Sequence, residues 1–445
     1  MKTVHLVSLG CPKNLVDSEV MLALLEQEGI TVVESPEYAD LLLVNTCGFI
    51  QSAVEEAIDE ILALTEVKKN NPAAILVVTG CLVQRYGNDL KAELPEVDLF
   101  IGTEGFQNIY KIITSRLPDR QTLLPLETPH FIMHHETPRT ISTPSHRAYL
   151  KISEGCSNRC TYCMIPGIRG PLRSRNIDDI VSEAQKLEEK GVRELTLIGQ
   201  DVTAYGMDLT NHAITLPSLL DNLLTHTSID WIRLLYLYPD KVNDSLLELI
   251  ASEKRLLKYL DIPFQHVSDR ILKRMGRPSR RADLYTLINQ IRTRIPDVAL
   301  RTTFMVGFPG ETEEDVSMLA DFIQTFKLDH VGLFTYSNED GCAASHFPDQ
   351  IPEDIKQERF RALMELQAKI ALGKNMKQVG KTLPVLIEGV SRETDLLLEG
   401  RTERQAPEID GCVYINEGTC EAGEIVNVTI SEAHPYDLVG HCSTV

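Results

Sequence analysis

Three cysteines fall within eight residues at Cys156-Ser-Asn-Arg-Cys160-Thr-Tyr-Cys163. Cys-x-x-x-Cys-x-x-Cys spacing can hold three corners of a cubane iron–sulfur cluster and leave the fourth iron without a protein ligand. An open iron can bind substrate, so the spacing points to chemistry and not only to electron storage. Structural zinc would need a fourth ligand in a closed tetrahedral site. His146, ten residues upstream, fits no common zinc spacing. A disulfide is not expected in a chain without a secretion signal.

A second set of three cysteines repeats one local pattern. Cys11 follows Leu-Val-Ser-Leu-Gly, Cys47 follows Leu-Leu-Leu-Val-Asn-Thr, and Cys81 follows Leu-Val-Val-Thr-Gly. Each sits just past the C-terminal end of an expected parallel strand, where the loops of an open α/β sheet converge on one crevice. Three thiolates meeting there could hold a second cluster, again with a vacant iron. A buried structural cysteine is the plainer reading of any one of them; repetition at three matching loops argues against it. Cys342, Cys412, Cys420 and Cys442 share no pattern and read as structural or incidental.

The elements that must position these residues are α/β in character. Strands are expected at Val4–Leu9, Leu41–Val44, Ala74–Val78 and 98–101, with helices at Asp17–Gln27 and Ala53–Leu64 between them. That is the signature of a parallel sheet with crossover helices. Pro118, Pro125, Pro129, Pro138 and Pro144 then break any regular pattern and suggest a linker. Six strand candidates follow, Ala148–Ile152, Glu194–Ile198, 231–236, 259–262, Ala299–Val306 and 330–336, separated by helical patterns. Six such units would curl into a partial barrel with functional loops at the C-terminal strand ends. An amphipathic helix is expected over 355–377. Short runs at 383–388, 396–399, 412–415 and 425–430 fit a small β-barrel.

Composition adds bounds. The 445 residues are 43% hydrophobic and 24% charged, as in an ordinary globular protein. There is no apolar run of membrane-spanning length, and the N-terminus reads as a strand and not a signal peptide. Ten cysteines in such a chain suggest metal or redox use in the cytoplasm. The net charge of −20 disfavours nucleic acid as the general partner. Residues 1–140 carry 10 basic against 20 acidic side chains, and residues 374–445 carry 6 against 12. A basic partner protein suits these acidic segments better than a phosphate backbone does.

Cys156-x-x-x-Cys160-x-Tyr162-Cys163 resembles the radical S-adenosylmethionine (SAM) motif, including the aromatic residue before the last cysteine. The resemblance implies that SAM chelates the open iron, and that an electron from the cluster cleaves its C–S bond to release a 5′-deoxyadenosyl radical. Gly199-Gln200-Asp201, at the end of the second barrel strand, resembles the segment that binds the SAM amino group. Arg233 and Tyr236 lie on the third strand, where ribose and carboxylate contacts are expected. Val306-Gly307-Phe-Pro-Gly-Glu311 ends the fifth strand and resembles the adenine-side motif. Taken singly, Tyr236 also fits plain core, and Gly-Phe-Pro-Gly a plain turn.

Over essentially its whole length the chain is similar to the methylthiotransferase family of radical SAM enzymes. That family joins a three-cysteine domain, a radical SAM barrel and a C-terminal β-barrel called TRAM. The resemblance rests on Leu9-Gly-Cys-Pro-Lys-Asn14, Asn45-Thr-Cys-Gly-Phe-Ile50 and Thr79-Gly-Cys81. It implies domains at 1–118, 145–373 and 374–445, with the Pro-rich linker at 119–144. It implies two 4Fe-4S clusters, on Cys11, Cys47 and Cys81 and on Cys156, Cys160 and Cys163. The first would supply or carry sulfur; one SAM would methylate that sulfur and a second would yield the radical.

Of the two branches, the RimO-like one acts on the β-carbon of an aspartate in ribosomal protein S-twelve, the other on an adenosine of transfer RNA. Gly-Cys-Pro-Lys-Asn stands where the RNA branch has Gly-Cys-Gln-Met-Asn. Gly-Phe-Ile follows Cys47, and Pro263-Phe-Gln-His266 replaces a Gln-Ser-Gly-Ser run. These features and the acidic C-terminal segment favour the protein substrate, with RNA contact only through the ribosome. An electron donor such as a flavodoxin or ferredoxin is expected. Arg159, Arg169, Arg173 and Arg175 could grip a carboxylate of SAM or substrate, or equally form ion pairs. A transfer RNA enzyme, an iron–sulfur carrier or sensor, and a zinc-binding adaptor are the alternatives.

Overall fold

Short apolar runs alternating with helices build two parallel sheets in succession, and a closed barrel follows. The structure, a computed structural model, describes residues 1–116, 121–211 and 213–442. The expected linker residue Pro118 and the last three residues of the expected barrel domain lie outside the described residues.

The first sheet comprises β1 (Thr3–Ser8), β2 (Thr31–Val32), β3 (Leu41–Thr46), β4 (Ile75–Gly80), β5 (Leu99–Ile101) and β6 (Thr122–Leu123). Helices α1 (Pro12–Gln27), α2 (Gln51–Asn70), α3 (Cys81–Glu93) and α4 (Ile109–Arg116) connect them. Strand order is β2-β1-β3-β4-β5-β6, and every pair is parallel. β3 is buried at every position, which is why Leu-Leu-Leu-Val reads as a continuous apolar run and not as an alternation. The chain leaves β1 for one flank and returns to β3 on the other. The topological reversal between β1 and β3 is where an open α/β sheet leaves a ligand crevice at its carboxyl ends.

The second sheet takes all six strands expected from the sequence, within three residues of the expected ends. They are β7 (Arg147–Lys151), β10 (Glu194–Ile198), β11 (Trp231–Leu234), β12 (Leu256–Asp261), β13 (Ala299–Val306) and β14 (His330–Thr335). A small antiparallel ribbon, β8 (Ser153–Glu154) with β9 (Arg173–Ser174), brackets the cysteine loop. Helices α5 (Ile165–Arg169), α6 (Ile177–Glu189), α7 (Leu216–His226), α8 (Asp244–Ser252), α9 (Asp269–Arg274), α10 (Arg281–Arg294) and α11 (Glu313–Phe326) fall between strands. The six strands are parallel and consecutive in space, with β7 and β14 at the two edges, so the barrel is partial. Helix α12 (Glu353–Asn375) packs on β14.

The C-terminal barrel closes through β15 (Thr382–Val390), β16 (Leu398–Thr402), β17 (Val413–Glu417), β19 (Leu438–Cys442) and β18 (Ile425–Ala433). Its interior holds Val385, Ile387, Val413, Ile415, Val428 and Ile430. It covers the N-terminal ends of the parallel barrel strands: Trp231, Leu257, Tyr259 and Ala299 pack against its Leu386 and Ala406. The C-terminal strand ends are thereby left for a site. Among the described residues no helix is long and apolar enough to cross a membrane.

The expected linker, described from residue 121 to 144, is bonded to both of its neighbours. Thr122 and Leu123 extend the first sheet as β6. Beyond them the Glu104 carboxylate accepts the His130 and Phe131 N–H groups, at 2.7 and 3.0 Å. Arg139 pairs with Glu19 of α1 at 2.6 Å and with Glu183 of α6 at 2.9 Å. Prolines stop regular structure there, but the chain spends its polar groups on both neighbours and is a strap, not a tether.

Candidate active site

Cys11, Cys47 and Cys81 follow β1, β3 and β4 directly, at the carboxyl edge and on either side of the topological reversal. Glycines beside them let the loops touch. A Cβ on Gly10 would lie 2.6 Å from Cys47 Cβ, and one on Gly48 would lie 2.7 Å from the Leu82 backbone. Burial pushes the Cys81 thiol up to about 11, and its neighbours Cys11 and Cys47 push the same way against Arg169. Burial also raises Cys47. Burial acts on Cys11 too, but the cations of Lys13 and Arg169 outweigh it and hold that thiol low.

The second triad lies on the loop between β8 and α5. Cys156 N–H donates to the Gly170 carbonyl and Thr161 N–H to the Met275 carbonyl, which closes the loop against the barrel. Burial raises Cys163 to about 12, with Cys160 and Cys156 adding to it. Tyr162 meets Phe308 edge to face at 6.5 Å, tying the cysteine loop to the 306–311 loop. Among the described residues no group of three His, Cys, Asp or Glu side chains is placed to grip a single metal ion. A four-iron cluster takes its thiolates at separate corners, and two sets of three thiols are the donors it uses.

The other expected residues fall into three groups. Gly199, Gln200 and Asp201 stand beside the cysteine loop. The Asp201 carboxylate accepts from Asn158 of that loop at 2.7 Å and pairs with Lys241 at 2.5 Å. Gln200 Oε1 and Ser153 Oγ are buried without a hydrogen-bond partner, as polar groups facing a bound ligand would be. Val306 ends β13, and Gly307 follows at φ +73° with its N–H donated to Glu311 at 2.9 Å. Glu311 is buried and held by Arg359 at 2.9 Å, so it shapes the turn.

Arg233 is placed differently from its expected ribose or carboxylate contact. It is fully buried against the C-terminal barrel, with Glu194 at 2.6 Å and the Glu403 carbonyl at 2.9 Å. The Arg233 side chain turns away from the carboxyl strand ends, toward Glu194 at the start of β10 and the small barrel. Of the four arginines around the SAM-like motif, Arg175 pairs with Asp179 and Glu183, Arg173 bonds the Arg169 and Pro171 carbonyls, and Arg159 is exposed.

Arg169 crosses to the first triad, where it bonds Asp17 at 2.5 Å and Asn14 at 3.0 Å beside Cys81. Asp17 also holds Lys151, which pairs with Glu154 at 2.5 Å, two residues before Cys156. A buried ionic chain therefore runs from one triad to the other. Lys13 crosses in the opposite direction, its ammonium 3.6 Å from the centre of the Tyr236 ring. Tyr236 and Gln265, just beyond β11 and β12, hold φ of +61° and +71°. Such backbone strain in non-glycine residues persists only where the surroundings impose it. The Asp261 carboxylate does so for Tyr236, accepting its N–H at 3.0 Å.

Sequence reasoning missed two cations. Arg277 lies 4.0 Å from Cys160 Sγ and over the Tyr238 ring, and no spacing signal announces it. Lys13 was visible only as part of Cys-Pro-Lys-Asn.

Comparison with known proteins agrees with this frame. Residues 3–102 match the model of uncharacterized protein family UPF0004, residues 150–323 the radical SAM superfamily, and residues 379–442 the TRAM domain. Among solved structures, the radical SAM methyltransferase TsrM from Kitasatospora setae superposes with a TM-score of 0.52 at 16% identity, covering 75% of this chain and 73% of its own. OxsB, a cobalamin-dependent SAM radical enzyme, gives 0.53 at 12% identity, covering 82% and 56%. At those identities the likeness is one of fold. Ribosomal protein uS12 methylthiotransferase RimO of Desulfotalea psychrophila is 54% identical over 98% of both chains. RimO of Citrifermentans bemidjiense is 48% identical over 98% of this chain and 97% of its own. A three-domain chain this similar end to end to such relatives belongs to the RimO family of radical SAM methylthiotransferases.

Proposed function

We propose that the chain adds a methylthio group to the β-carbon of an aspartate in ribosomal protein S-twelve, the uS12 of its relatives' names. The observation that carries the reading is a domain interface with one cysteine triad on each side, spanned by Arg169 from the second triad's side and by Lys13 from the first. Cys156, Cys160 and Cys163 would hold one 4Fe-4S cluster and Cys11, Cys47 and Cys81 another. A cluster with SAM on its open iron supplies radical chemistry at carbon that no side-chain base could deprotonate. Gln200 and Ser153 keep buried polar atoms without a hydrogen-bond partner beside the cysteine loop, available to SAM. Arg277 offsets negative charge beside Cys160. One SAM would serve as methyl donor and a second as radical source, with electrons from a flavodoxin or ferredoxin.

The C-terminal barrel supports a protein substrate over transfer RNA. Its Arg401 and Arg404 turn inward to Glu194, Glu388 and Asp329. Glu393, Asp395, Glu417, Glu421, Glu424 and Glu432 face solvent. That surface attracts a basic ribosomal protein and repels a phosphate backbone. The test is intact-mass measurement on ribosomal protein S-twelve after anaerobic incubation with enzyme, SAM, reductant and sulfide. A methylthio gain on the protein is expected. The same gain on transfer RNA, with none on the protein, would reverse the assignment.

A further inference from the structure

Ten lysines and arginines among the described residues are buried, and eight of them have a carboxylate within ion-pair distance. The two without one are Lys13 and Arg277. A buried cation is costly unless paired, so an unpaired one marks a place where the partner comes from outside the chain. Arg277 has a partial answer within the protein: it caps the Pro263 carbonyl, stacks on Tyr238 and lies 4.0 Å from Cys160 Sγ. Lys13 has less. Its ammonium faces the Tyr236 ring, with Cys11 on its own loop and the like charge of Arg169 beyond. Asp17, the nearby carboxylate on α1, is already shared by Lys151 and Arg169. Asp261, below Tyr236, is taken by Arg301 at 2.7 Å.

The position matters as much as the missing partner. Lys13 is carried by the first domain two residues after Cys11, yet it stands over a residue at the carboxyl end of β11 in the barrel. Anything held by its ammonium would lie between the Cys11 loop and the barrel lumen. Tyr236, in the left-handed region, bounds that place on the barrel side.

We propose that the Lys13 ammonium is the anchor for the carboxylate of the acidic side chain that is modified. The inference rests on the methylthiotransferase reading above and adds to it the residue that selects an acid over its amide. An ammonium is a point charge with three donors and pairs with one carboxylate oxygen without demanding bidentate geometry. The Tyr236 ring holds the ammonium by its face. No bond is made or broken by Lys13; it orients the carbon next to the carboxylate.

The test compares holoenzyme and its Lys13→Met and Lys13→Arg variants. Each is measured for affinity to a peptide spanning the modified aspartate and to the same peptide with that aspartate replaced by asparagine, in the presence of SAM. Iron content and visible absorbance of each variant report whether both clusters are seated. Loss of a charged hydrogen bond predicts roughly tenfold or greater weakening of the aspartate peptide in Lys13→Met. The wild-type preference for aspartate over asparagine should vanish in that variant and persist in Lys13→Arg. If Lys13→Met keeps the preference, or if its only defect is lost iron, the ammonium serves the cluster and not the substrate, and the proposal falls. If the wild-type enzyme itself fails to modify the aspartate protein, the functional reading fails first, independently of Lys13.

Discussion

Six cysteines sit in two sets, one in each of two adjoining domains, and each set should stand or fall by itself. Changing Cys156, Cys160 and Cys163 to alanine should lower iron from about eight to about four atoms per chain, as one of two four-iron clusters is lost. Such a variant should release no 5′-deoxyadenosine on reduction. Iron near zero in the variant, or near four in the parent, would refute the two-cluster arrangement. The cysteines were legible because chemistry fixes their spacing in one case and strand ends fix their place in the other. Lys13 and Arg277 were not, because a cation acquires its meaning from its partner. The partner of Lys13 is Tyr236, far along the chain. Arg233 misled for a related reason. Its strand was right, but only the packing shows that its side chain turns to Glu194 and the small barrel.

At the level of elements, the turn after β1 leaves no room for a side chain. Gly10 combines φ of +89° with a Cβ position 2.6 Å from Cys47 Cβ. An alanine there carries left-handed strain of about 1–2 kcal/mol and pushes the Cys47 loop away. Gly10→Ala should therefore lose iron at the first triad while SAM cleavage at the second continues. Full iron in that variant, measured after identical reconstitution, would show that the loop can yield. The longer strands were readable from their apolar runs. β2 and β6 have two residues each, too few to carry a pattern. β19, Leu-Val-Gly-His-Cys, was missed because its polar and small residues dilute the alternation. The strap was misread because proline reports where helix and strand stop, and says nothing of what the irregular chain bonds to.

Across the whole molecule, the small barrel is fastened to the parallel barrel by buried charge. Burial raises the Glu194 carboxyl, but Arg401 and Arg233 overcome this and hold it down at about 2. Its stabilisation is complete above the ordinary carboxylate value of 4.5 and drains away as the pH falls toward 2. Melting temperature should drop across that window. Glu194→Gln should melt lower at neutral pH, by the equivalent of about 3–5 kcal/mol for a broken buried pair, and show a shallower fall in acid. Parallel pH curves for the two proteins would remove Glu194 from the account. The strap has a different kind of consequence. Arg139 clamps Glu19 and Glu183 together, on either side of the domain boundary. The separation of the two triads is thus a property of the native state and not the outcome of a tethered search. In the language of effective concentration, each centre sees the other at a local molarity set by folding, which lengthening the loop between β6 and β7 would not dilute while that clamp holds.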